Sequence, residues 1–220
     1  MQLLRRMQTL LAQLYDAPVR EDVQDYVLSD RRALSEAVGE QAGEGADEQV
    51  FVVEDEQGVR LGLFIESGVL DRLARRDPLQ ALDEDNLADF CTALEGVSHF
   101  HYLVWSLARG RNVSLLELEL QAEVDKYATA LALMTRQRAG CFPGSLHARM
   151  FHAVSFLPQL DHISRRRYEE ANRHAARYCR SLEERFLRAR RQRPELWLAE
   201  LRRFFRQGHQ EKIRQLAVSG

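Results

Sequence analysis

A stretch of the chain between residues 86 and 109 is apolar on every side of a helix. Leu87, Phe90, Leu94, Val97, Phe100, Leu103, Val104, Trp105 and Leu107 leave it no polar face. A helix of that kind is stable only when other elements surround it. The remainder of a 220-residue chain must therefore wrap this segment. A chain of this length buries enough surface to fold without staples.

The polar residues on this segment need partners, because an unpaired buried polar group is costly. Glu95 and His99 are four apart and meet on one helix face. Tyr102 is three beyond His99, close to the same line. The next helix, 114–138, is also largely apolar and carries Glu119, Glu123 and Lys126 at i, i+4 and i+7, with Asp125 offset from them. Ser114 and Glu117 form a capping-box pair at its start. Asp83 or Asp85 can cap the first helix, and Gly110 ends it. The short link between the two helices favours antiparallel neighbours, which sets the two ionisable rows across one seam.

Three readings of Glu95, His99, Glu119, Glu123 and Lys126 compete. In the first, they are a structural network in which Lys126 neutralises Glu123 and His99 bonds to Glu95. Glu123→Ala would then strand Lys126. In the second, the carboxylates and His99 bind a metal. Bundle di-iron sites space Glu and His by three, here the spacing is four, and no metal ligand set or cofactor is assigned. In the third, Glu123 or His99 is a general base whose pKa is set by crowded charges.

The rest of the chain reads as a small sheet and further helices. Helix spacing covers residues 1–15 and Pro18 follows it; 25–28 suits a short strand and 32–38 a helical turn. Residues 39–48, GEQAGEGADE, read as a mobile acidic loop. The runs 50–53 and 59–65 predict a β-hairpin with apolar groups on both faces. Helices follow at 69–74, 145–156, 159–192 and 195–216, with Pro158 and Pro194 as breaks. The expected fold is α+β and mainly α: a hairpin or three-stranded sheet packed on five or six helices. One domain over 1–220 is expected, with an acidic part, 1–84, and a helical bundle, 85–220.

Charge is segregated along the chain. Residues 139–220 hold 17 Arg and Lys against 8 Asp and Glu, or +9, whereas residues 1–138 carry −11. Lys126 and Lys212 are the only lysines. Arg188, Arg190, Arg191 and Arg193 form a cluster without an acid inside it, and Arg202 and Arg203 extend it. They suit an acidic protein partner, self-association or the acidic half of this chain. Nucleic acid as a partner is unsupported by any motif. Cys91, Cys141 and Cys179 are an odd set with no CxxC, and no signal peptide or membrane span is visible, so a cytoplasmic location is expected. No GxSxG, HExxH or phosphate loop occurs. The first functional expectation is a cytoplasmic interaction or adaptor protein using the Arg-rich surface. The alternative is an enzyme with a Glu/His/Lys acid–base or metal site between helices 86–109 and 114–138.

Overall fold

The computed structural model describes residues 2–39, 45–55, 58–141, 143–152, 161–187 and 193–218. Helix α1 spans Gln2–Tyr15. A 3-10 turn at Val23–Tyr26 leads into β1 (Val27–Leu28), then α2 (Arg31–Val38). Strands β2 (Glu48–Asp55) and β3 (Gly58–Ile65) form the hairpin, and α3 (Ser67–Arg75) follows. The helical part comprises α4 (Leu87–Leu107), α5 (Leu115–Gln137), α6 (Leu146–Phe151), α7 (His162–Leu182), α8 (Pro194–Arg206) and α9 (His209–Val218). The fold is α+β and mainly α, as the sequence pattern implies.

The sheet has the order β1-β3-β2. β2 runs antiparallel to β3, with Glu48 opposite Ile65 and Asp55 opposite Gly58, and β1 runs parallel to β3, with Val27 opposite Leu63. Leu63, Phe64 and Ile65 are all fully buried, so both faces of β3 are covered. One cover is α4, which packs against α1, α3, α5, β2 and β3 and is thereby enclosed as its composition demands. α5 packs on α4 and α7, and it too is buried around its circumference.

Several expected boundaries shift, each for a local reason. Glu48 belongs to β2 and not to an acidic loop, because it is registered opposite Ile65. Asp83 and Asp85 pair with Arg76, and Asn86 takes the N-cap position of α4. Ser114 caps α5 through the Glu117 amide, but the Glu117 carboxylate turns inward to Tyr102 and Arg111, so the capping box is only half made. Of the expected helix 145–156, Leu146–Phe151 form α6; residues 153–160, with Pro158, lie outside the described residues. Of the expected helix 159–192, His162–Leu182 form α7, which widens into a π-helical turn at Glu183–Leu187, where buried Glu183 accepts a hydrogen bond from Tyr127; 159–160 and 188–192 lie outside the described residues. The single helix expected at 195–216 is two, because the chain is extended at Gln207 and the Gly208 amide is capped by Glu211.

Gly96 fixes how closely the sheet approaches α4. A Cβ there would lie 2.7 Å from Leu63 Cδ1 and 2.9 Å from Glu48 Oε2. Leu63 is fully buried and has little room to retreat. Gly96→Ala should cost about 1–3 kcal/mol despite the better helix propensity of alanine. A denaturant titration showing a stabilised variant would contradict this packing.

Candidate functional site

The polar side chains of α5 fall into two stripes on opposite flanks. At about 100° per residue, Glu119, Glu123 and Lys126 share one flank, and Glu117, Gln121 and Asp125 the other. α4 answers both. Glu95 and His99 face the first stripe, and Ser98 and Tyr102 reach the second.

On the first flank the five sequence-derived residues come together, joined by Glu48 from β2 and Arg167 from α7. Lys126 Nζ donates to Glu95 Oε2 at 2.6 Å and to Glu123 Oε1 at 2.8 Å. His99 lies between two carboxylates: Nδ1 is 3.7 Å from Glu48 Oε2 and Nε2 is 3.4 Å from Glu119 Oε2. Arg167 Nε is 3.6 Å from Glu119 Oε1. Glu95 pairs with Lys126 and not with His99 as the sequence suggested, although one ligand atom each from Glu95, His99 and Glu119 lies within 4.8 Å of the others.

The cluster is neither sealed nor open. His99 and Glu119 form its floor, with side chains 5% and 8% exposed; Glu95 and Arg167, at 20% and 21%, form a rim that meets solvent. Its contacts are loose. His99 Nε2, Glu48 Oε2 and Arg167 Nε are buried and make no hydrogen bond. Each such buried group costs about 1–3 kcal/mol.

Charge is unequally shared. Burial opposes the charge on Lys126, but Glu123 and Glu95 beside it hold its pKa well above the usual lysine range. Burial works against ionised Glu95, yet Lys126 and His99 keep it below the ordinary carboxylate range. Burial and the nearby charges of Glu95 and Glu119 raise Glu123, which Lys126 only partly offsets. One ammonium cannot neutralise two carboxylates, and Glu123 is the surplus acid. Burial also disfavours a charged His99, but Glu119 and Glu48 raise its pKa well above the usual histidine range. Glu48 itself is raised by burial. Tyr168, next to Arg167 on α7, is raised by burial and by the Glu119, Glu95 and Glu48 charges.

The second flank is tightly bonded. Tyr102 Oη donates to Glu117 Oε1 at 2.6 Å. Lys212 Nζ, from α9, donates to Gln121 Oε1 at 2.6 Å and to Tyr102 Oη at 2.9 Å. Gln121 Nε2 and Ser98 Oγ each donate to Asp125 at 2.6 Å. Burial pushes Asp125 up to about 6 and Lys212 down to about 7. Tyr102 therefore belongs to this network and not to the line of Glu95 and His99.

Glu48, Arg167 and Tyr168 escaped the sequence reading. The only available signal for Glu48 was its position immediately before the β-branched run. Of the arginines proposed for a partner, Arg202 donates to the carbonyls of Leu14 and Gln13, and Arg203 forks onto both oxygens of Glu200. Arg193 is exposed, and Arg188, Arg190 and Arg191 lie outside the described residues. His147 bonds the Ala176 carbonyl at 2.8 Å. Among the described residues no helix is long and apolar enough to cross a membrane. No protein-family model matches the chain, nor does any curated protein or solved structure.

Proposed function

We propose that this protein is an enzyme whose reaction centre is the seam formed by Glu48, Glu95, His99, Glu119, Glu123 and Lys126. The observation that carries the reading is the excess of acid over fixed cation. Four carboxylates share Lys126, Arg167 and His99 in a half-enclosed site with buried polar atoms left unbonded. A network built for stability is expected to be paired and closely bonded, as Lys212, Gln121, Ser98 and Asp125 are on the second flank. Like charges held together at a cost are a common property of active sites. Glu123 is the proton acceptor in this reading, since a raised carboxylate is better matched to proton transfer near neutral pH. Lys126 stays charged on Glu95 and favours negative charge developing beside it. The adaptor reading has less support, because Arg202 and Arg203 are engaged within the chain.

Stability separates a reaction centre from a structural network. In Glu123→Gln, Lys126 keeps Glu95 at 2.6 Å and a surplus buried charge is lost. The variant should melt at or up to about 1 kcal/mol above the parent in calorimetry at neutral pH. A loss of about 3–5 kcal/mol, the usual result of breaking a buried pair, would make the cluster structural and remove this proposal.

A further inference from the structure

We propose that Glu95, His99 and Glu119 hold a divalent first-row transition-metal ion at the floor of the seam, with Glu48 fixing the imidazole from behind. This rests on reading the cluster as a site and names its cofactor class. The first observation is the donor set: one imidazole nitrogen and two carboxylates, all within 4.8 Å of one another. Ligands of one ion at bond lengths of about 2.0–2.2 Å lie roughly 3–4.3 Å apart, so a shift of about 0.5–2 Å closes the set. The second observation is His99 itself. It is 4% exposed, and its Nε2 points at Glu119 from 3.4 Å without a hydrogen bond. Its other nitrogen, Nδ1, faces Glu48 Oε2. At 3.7 Å this is not a hydrogen bond, but it puts a carboxylate on the side of the ring from which metal-ligating histidines are oriented.

Charge and geometry agree with this occupant. Once an ion has displaced the proton from His99, the four carboxylates outnumber Lys126 and Arg167 by two negative charges, which one divalent ion balances. Lys126 engages one oxygen of Glu95, and a carboxylate has a second to offer. Arg167 reaches Glu119 from the α7 side and orients it. An imidazole in the set favours manganese, iron, cobalt or zinc over magnesium and calcium, which prefer all-oxygen sites. Bound here, the ion would act as a Lewis acid a short distance from Glu123.

The test is made on the full chain, expressed without a histidine tag and stripped by chelator. Titration calorimetry with Zn²⁺ and with Mn²⁺, each alone, should give one equivalent per chain. Binding should survive a large excess of Mg²⁺. Glu95→Gln, at the more exposed rim, and His99→Ala should each lose binding at least tenfold. Glu48→Gln, a positioning change, should weaken it about 10–100-fold. Circular dichroism of each apo variant checks folding, and the rim variant serves if His99→Ala fails to fold. Co²⁺ should develop a visible absorption band in the parent and not in Glu95→Gln. Parent affinity no greater than that of Glu95→Gln overturns the metal proposal. If Glu123→Gln still melts at or above the parent in that case, the reaction-centre reading stands without the ion. A bound ion with a Glu123→Gln variant that melts low leaves a structural metal and removes the catalytic reading.

Discussion

Raising the pH from about 7 to about 9.5 will stabilise the protein through Lys212 by about 3 kcal/mol, and Lys212→Met will abolish that gain. Lys212 is fully buried, and burial lowers its pKa from 10.5 to about 7. Between those values the unfolded chain binds a proton at this residue and the folded chain does not. Stability therefore rises with pH across that window and is lost as the pH falls toward 7. Glu117 and Asp125 pull the other way and Arg111 adds to the depression, but burial dominates. His99 has the opposite sign. Its raised pKa gives stability that is complete below about 6.5 and lost as the pH climbs through the elevated folded value. The measurement is therefore the difference between parent and Lys212→Met in denaturant titrations at several pH values. Methionine leaves Gln121 Oε1 short of a donor at every pH, which offsets the curves without changing their slope. Parallel curves for the two proteins would contradict a neutral interior lysine.

Phe205→Ala will cost about 3–5 kcal/mol, the usual range for deleting a buried aromatic ring. The ring is fully buried where α8 meets α1 and α4. It stacks on Tyr15 at 4.3 Å between ring centres and meets Trp105 at 4.9 Å and Tyr102 at 5.0 Å edge-on. Three rigid rings cannot collapse into the space it leaves, so most of the cavity will persist. Domains are stable by only about 5–15 kcal/mol, and calorimetry should show a fall in Tm of roughly 10 °C. A loss below about 1 kcal/mol would mean that α8 is not held to the bundle by this ring.

The elements that hold the site were legible because their patterns are local. An all-round apolar run can only be an enclosed helix, and Ser114 marks the start of α5 whether or not Glu117 completes the box. What was hidden depends on neighbours distant in sequence. Glu48 sits in an acidic, glycine-rich stretch whose composition speaks for a loop, and only pairing with Ile65 makes it strand. Tyr102 lies within about 20° of Glu95 on a helical wheel but about 10 Å further along the axis. At that height its neighbours are Glu117 and Lys212, and the wheel says nothing about them. Arg167 reaches Glu119 across 48 positions, a juxtaposition set by the packing of α5 on α7.

Both lysines of the chain are interior: Lys126 is clasped by Glu95 and Glu123, and Lys212 is enclosed by Tyr102 and Gln121. Every other basic side chain apart from histidine is a guanidinium. The folded surface accordingly offers no lysine ammonium for acylation, ubiquitin transfer or reductive methylation. Such chemistry reaches a lysine of this protein only after the seam between α4 and α5, or the docking of α9, has opened. The two amines thus act as built-in reporters of those two openings.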